Sequence, residues 1–258
     1  MIMTKLYNPL TIRLLALILL FILFVGWLLT PIHNNIEDSI QNYYIAHAGG
    51  GIDGYTYTNS KEALLQSIHR KIKYIELDFF ALKDSSLLCI HDIREFNQMT
   101  GYGDSDSIPT NFKKRRIYNK YTPITLDDVL TIRNVNPFIL VTDKIDNPEL
   151  LNRYFGDDKT NLRVEAFSWQ RYKLLEEEGY TPMLGIDKKN IFQYIYYCIR
   201  CKERIKWITS SAYSYLDIVK LRILKKIFKV KIAFVPMHNS IEYYKNYIGN
   251  EFDLIYID

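Results

Sequence analysis

The stretch from Lys73 to Asp92, KYIELDFFALKDSSLLCIHD, decides the fold. It holds two strand-like runs, KYIELDFF and SLLCIHD, and between Phe80 and Leu87 only ALKDSS intervenes. A parallel crossover needs a dozen or more residues, so these two runs must pair antiparallel as a hairpin. Outward from the hairpin, other short β-branched or aromatic runs recur: YYIAH before it, then FILVTD, RVEAFS, TPMLGI, IKWITS, KIAFVPM and DLIYID after it. Helical patterns stand between most of them, among them SKEALLQSIHRK, TLDDVLTIRN, SWQRYKLLEEEGY and SAYSYLDIVKLRILKKIFK. Such alternation predicts a parallel sheet with helices outside it. Nine strand candidates are one too many for an eight-stranded barrel, and the hairpin's return arm is the one to remove. The expectation is a (β/α)₈ TIM barrel over residues 43–258, with a β-hairpin after the second strand and a site at the carboxyl ends of the strands.

The chain begins differently. From Leu14 to Thr30 it reads LLALILLFILFVGWLLT without a charge, long enough for a helix to cross a bilayer. Lys5 and Arg13 precede this run and Glu37 and Asp38 follow it, so the positive-inside rule leaves the N-terminus cytoplasmic and exports the rest. The rival is a cleaved signal peptide, but the exit Trp27-Leu28-Leu29-Thr30-Pro31 offers no small-residue cleavage site. We therefore expect a single-pass membrane anchor over residues 1–32, a linker over 33–42 and an extracytoplasmic domain over 43–258. The chain carries 33 basic and 29 acidic residues; without Lys5 and Arg13 the balance is 31 against 29. That evenness argues against a nucleic-acid binder, whose basic face would dominate. Three cysteines make no disulfide framework. Cys198 and Cys201 form a C-x-x-C in a helical pattern with no second pair for a zinc site, and Cys89 reads as core.

Barrel geometry turns the polar residues into a candidate site. His47 ends the first strand against Gly49, Gly50 and Gly51. Glu76 and Asp78, two apart on the second strand, share one face, while Ile75 and Leu77 take the other. Two carboxylates side by side at a barrel mouth repel unless a positive group joins them, and a hard divalent cation with oxygen ligands is the natural partner. The plainer alternative is a carboxylate pair on a solvated edge. His91 ends the hairpin's return arm, which brings it over the same mouth; alone it would equally suit a packed histidine beside Asp92.

Together these motifs resemble the glycerophosphodiester phosphodiesterase family, metal-dependent TIM barrels. The family pattern of His-Arg-Gly, Glu-Asn-Thr, Glu-x-Asp and His-Asp corresponds here to His47-Ala48-Gly49, Thr58-Asn59-Ser60, Glu76-Leu77-Asp78 and His91-Asp92, in that order. The likeness spans residues 43–258 in outline, with EFDLIYID similar to the family's closing strand, but its specific motifs all precede residue 93. The resemblance implies that Glu76 and Asp78 hold Ca²⁺ or Mg²⁺ against the phosphate oxygens. It implies that His47 and His91 act as general base and general acid, in an order the sequence leaves open. The substrate's own neighbouring hydroxyl would attack first, giving a cyclic phosphate that water then opens. Gly49 and Gly50 would let the phosphate approach the backbone, with Asn59 and Lys144 completing its site.

Departures from the pattern bear on the chemistry. Ala48 stands where the family has arginine, and Thr58 where it has an acid. The family's third metal carboxylate lies two positions before a lysine on the next strand, which here puts Thr142 at the ligand position before Lys144. A shift of one residue would let Asp143 serve; Glu165 on the strand after is the alternative, and each has a structural salt bridge with Lys144 or Arg163 as its plainer use. The segment 93–123 lacks clear periodicity and reads as a loop insertion over the mouth. Its Lys113-Lys114-Arg115-Arg116 run would replace the missing arginine, face lipid headgroups or simply be solvated. Three functions compete. The first is an anchored phosphodiesterase for glycerophosphodiesters or for glycerophosphate-bearing lipids and glycans. The others are a phospholipase D-like or phosphoinositide-cleaving lipase, and a non-catalytic phosphate- or glycan-binding descendant.

Overall fold

The structure is a computed structural model that describes residues 9–33, 39–103, 105, 107–108, 111–186, 195–196, 199, 205–212, 214–237 and 241–258. Nine strands are described: β1 (Tyr44–Ala46), β2 (Tyr74–Ala81), β3 (Leu87–Cys89), β4 (Ile139–Asp143), β5 (Leu162–Ala166), β6 (Pro182–Ile186), β7 (Trp207–Ala212), β8 (Lys231–Pro236) and β9 (Leu254–Ile257). Eight of them run parallel in the order β1-β9-β8-β7-β6-β5-β4-β2, and β1 pairs again with β2, which closes the barrel. The ninth, β3, pairs antiparallel with β2 in the register Phe79↔Cys89, Phe80↔Leu88 and Ala81↔Leu87. Its turn is held by Leu82 N–H to Ser86 C=O at 2.8 Å and by the Asp84 carboxylate, which accepts from Ser86. The expected hairpin and barrel are both present.

Alternation along each strand sorts the core into two layers. Ile45, Val141, Met183, Trp207, Ala233, Leu254 and Tyr256 fill the barrel interior. Their neighbours Ala46, Ile75, Leu77, Leu140, Val164, Leu184, Ile208, Phe234 and Ile255 face outward into the larger core. That outer core meets the apolar sides of α2 (Lys61–His69), α4 (Leu126–Val135), α5 (Pro148–Phe155), α6 (Trp169–Glu177) and α7 (Tyr215–Phe228). Because Ile75 and Leu77 point outward, Glu76 and Asp78 must point in.

Two helices lie where no helix was expected. α3 (Ile93–Met99) stands inside the presumed irregular segment, started by the Asp92 side chain accepting from Glu95 N–H. α5 begins on an Asn147 cap with proline in its first turn. At seven and eight residues, both are too short to show periodicity. α3 and the segment after it pack as a satellite core, with Phe96, Phe112, Ile117 and Tyr121 against Leu88 and Ile90 of the hairpin. A four-residue helix, α8 (Ile241–Tyr244), precedes β9. Cys89 is buried with a free thiol; the Cys198-x-x-Cys201 pair lies outside the described residues.

The N-terminal helix α1 (Pro9–Leu29) has 21 residues, and its stretch Ile12–Leu29 is long and apolar enough to cross a membrane, with none of it buried against the barrel. Only its exit docks. Arg222 of α7 donates to Leu29 C=O at 2.7 Å and to Glu251 Oε1 at 2.9 Å, and Glu251 Oε1 accepts Ile32 N–H at 3.2 Å. Lys226 Nζ donates to the carbonyls of Trp27 and Thr30. Cations thus meet carbonyls that a helix end leaves unsatisfied.

Candidate active site

The site is built on the chain as it leaves β1. Ala48, Gly49 and Gly50 follow one another at φ of 48°, 86° and 99°, a left-handed run that only glycine enters freely. A methyl group on Gly50 would sit 2.4 Å from Ser67 Oγ, and one on Gly51 would sit 2.5 Å from the carbonyl carbon of Asp258. The glycines therefore let the turn press against α2 and the end of β9. In return, the turn delivers Ala48 N–H to Glu76 Oε2 at 2.7 Å and holds His47 over the mouth. His47 Nε2 lies 4.0 Å from Glu76 Oε2, while its Nδ1 lies 3.4 Å from Asp258 Oδ1. A carboxylate on each side fixes the ring.

Asn59 supports the second carboxylate. Its amide donates to Asp78 Oδ2 at 2.9 Å, and its carbonyl accepts Asp78 N–H at 3.0 Å. The β2–β4 register pairs Asp78 with Asp143 and Leu77 with Thr142. Asp143 accordingly shares the inward face, and Thr142 turns outward into the core. No shift of the strand is needed to turn Asp143 inward, and Lys144 follows at φ 64°, past the strand's end. Glu76, Asp78 and Asp143 offer oxygens that all lie within 4.8 Å of one another. Glu165 stands apart from this trio, held by the buried hydroxyl of Tyr256 across the barrel. Lys144 Nζ approaches Asp78 Oδ1 at 4.0 Å.

The trio is electrostatically unbalanced. Burial, then the Asp78 and Asp143 charges, hold the Glu76 carboxyl well above its usual range. Burial and Asp78 likewise raise Asp143, and burial followed by Asp143 pushes Glu165 up to about 8. Glu76 Oε1 is buried with no hydrogen-bond partner. An orphaned carboxylate oxygen among crowded carboxylates fits a divalent cation bound through oxygen, and Glu76, Asp78 and Asp143 are the residues that would hold it.

His91 follows β3, its Nδ1 2.9 Å from Glu95 Oε2 and 3.3 Å from Asp92 Oδ2. The Tyr57 ring meets both imidazoles edge-on, with centroids 4.5 Å from His47 and 6.4 Å from His91. The basic run does not reach in. Lys113 pairs with Asp128, Arg115 binds Asn111 and stacks on Tyr102, and Arg116 binds backbone carbonyls. Sequence reasoning missed Asp258, Tyr57 and Tyr256. For Asp258 a signal existed, an acid at the carboxyl end of a barrel strand; nothing in the sequence singles out Tyr57.

No family model matches the sequence, and no curated relative does. Solved structures do match. A glycerophosphoryl diester phosphodiesterase from Parabacteroides distasonis aligns with a TM-score of 0.63 at 15% identity, over 88% of this chain and 85% of that one. The barrel shares the fold of solved glycerophosphodiester phosphodiesterases. A glycerophosphodiester phosphodiesterase from Thermotoga maritima has the same TM-score, 0.63, at 20% identity over 84% of this chain and 94% of its own. An Oleispira antarctica phosphodiesterase, solved with its product sn-glycerol-3-phosphate, aligns at 0.58 with 17% identity, over 83% of this chain and 92% of its own. At these identities the likeness is one of fold, and the chemistry rests on the residues just described.

Proposed function

We propose that this chain is a membrane-anchored, metal-dependent phosphodiesterase acting on glycerophosphodiesters or on glycerophosphate-bearing molecules. One observation carries the reading: a carboxylate trio with an orphaned buried oxygen stands beside His47, which shares the Tyr57 ring with His91, at the mouth of a barrel with this fold. A bound Ca²⁺ or Mg²⁺ would draw charge from the non-bridging phosphate oxygens as it develops. The protein's own groups do the rest. His47, steadied by Asp258, and His91, steadied by Glu95, take and give the protons as the substrate's neighbouring hydroxyl displaces the leaving alcohol. Lys144 and the Gly49–Gly50 backbone orient the phosphate, and Asn59 keeps Asp78 aimed inward. The helix α1 would hold the barrel at the membrane with its domain on the extracytoplasmic side.

Retention of both histidines with the trio favours a phosphodiesterase over a binding-only descendant. The test is turnover of glycerophosphocholine, and of phospholipid vesicles, by full-length protein in Ca²⁺, Mg²⁺ or EDTA. Activity should require the cation, and His47→Ala and His91→Ala should each lower kcat by ~10²–10⁴-fold. Near-normal rates in either variant, or turnover in EDTA, would overturn the assignment.

A further inference from the structure

Among the described residues, the Glu76, Asp78 and Asp143 trio and the two histidines belong to the β1, β2 and β4 side of the mouth and its hairpin. The other side, formed by the ends of β5 to β8, opens a separate cavity of about 410 Å³. Phe167, Gly185, Thr209, Ser211, Val235 and Met237 line it. They continue the inward-facing rows begun by Met183, Trp207 and Ala233, so the cavity is the upper part of the barrel interior. Phe167 lies two residues beyond Glu165 on the same strand, which joins the cavity to the acidic side.

Its chemistry differs from that of the carboxylate side. None of the described lining residues is charged. Phe167 and Met237 stand 57% and 40% exposed at the rim, an apolar surface with nothing against it among the described residues. At the floor, Thr209 Oγ1 is buried and has no hydrogen-bond partner. A buried hydroxyl without a partner is rare and points to a bound group. Gly185 keeps the space open for no backbone reason: its φ is not positive, and a methyl group there would meet nothing nearer than Ala166 C=O at 3.6 Å. The volume is that of a pocket for a sizeable organic group, well beyond a three-carbon alcohol.

Building on the phosphodiesterase reading, we infer that the β5–β8 side of the mouth binds the substrate's alcohol, and that it selects an uncharged alcohol with an alkyl or acyl chain. Among the described lining residues, a choline or ethanolamine cation would find no carboxylate and a second phosphate no cation. A chain would cover Phe167 and Met237, while an ether or ester oxygen would take the Thr209 hydroxyl.

The experiment measures kcat/KM for sn-glycero-3-phosphate esters of methanol, butanol and hexanol and for glycerophosphocholine. In parallel, calorimetry measures binding of methyl phosphate and hexyl phosphate to the cation-loaded protein. From methyl to hexyl, kcat/KM and affinity should each rise at least ~10-fold, equivalent to burying about two methylenes. Gly185→Leu, which fills the cavity, and Met237→Lys, which charges its exposed rim, should each flatten that chain-length dependence. A flat series in the wild type, or an unchanged slope in both variants, refutes the pocket while leaving the phosphodiesterase reading intact. Preferential hexyl phosphate binding that Gly185→Leu removes, in a protein that turns over no diester, supports the pocket and refutes the phosphodiesterase instead.

Discussion

At the scale of single residues, the carboxylates at the mouth set two expectations. Asp258 faces Nδ1 of His47, so its charge selects the ring orientation that turns Nε2 toward Glu76. Asp258→Asn keeps the shape and removes the charge. Its kcat should fall by less than the ~10²–10⁴-fold expected from losing the imidazole, with KM nearly unchanged. A wild-type kcat, or a loss that falls mainly on KM, would exclude this role. The second expectation concerns proton linkage. Glu165 titrates near 4.5 when unperturbed and at about 8 in the folded barrel, and Glu76 and Asp143 are raised in the same direction. The fold binds these protons more tightly than the unfolded chain does. The stability they confer is therefore complete below pH about 4.5 and is lost as pH rises toward 8. Metal-free protein should melt progressively lower across that window, and added Ca²⁺ or Mg²⁺ should restore the loss most at its alkaline end. A melting temperature that is flat with pH in EDTA would contradict the crowding argument.

At the scale of elements, the turn after β1 shows what local sequence can and cannot convey. Gly51 is needed because the end of β9 passes so close to it, not for an unusual φ. Gly51→Ala should therefore push Asp258 away from His47 and cost activity beyond its effect on stability. Gly54→Ala is the control. At φ 81° with open space around it, that change should cost only about 1–2 kcal/mol of backbone strain and leave the rate constants alone. Equal activity losses in the two variants would remove the packing explanation. The barrel and its hairpin were legible because both follow from counting: ALKDSS is too short to cross over, and strand periodicity fixes which way Glu76 and Asp78 point. Asp143 was half legible, since its side of the sheet depends on register with β2, a pairing between residues far apart in the chain. Asp258 reaches His47 through the β1–β9 pairing that closes the barrel, and Tyr57 through the folding back of the loop after β1, so neither contact follows from strand or helix periodicity. The short helices α3 and α5 escaped because a cap and two turns carry too little periodic signal.

At the scale of the whole molecule, the apolar helix and the barrel are joined by one buried device. Arg222 and Glu251 are both 1% exposed, and between them they bind the Leu29 carbonyl and the Ile32 amide. A cut near Thr30 would take away the Leu29 carbonyl that Arg222 binds, so the anchored reading predicts that residues through Ile32 stay with the fold. Breaking a buried pair by removing one member costs about 3–5 kcal/mol, whereas exchanging both for apolar residues of similar size is often neutral. Arg222→Ala should thus lower the melting temperature markedly. The double change Arg222→Met with Glu251→Leu should recover most of that loss while giving up the polar ties to α1. Mass spectrometry of protein extracted from membranes should find the chain intact through the helix in the wild type. If Arg222→Ala melts with the wild type, or if the mature chain starts after Ile32, the helix is not an integral part of the folded protein and the anchored arrangement fails.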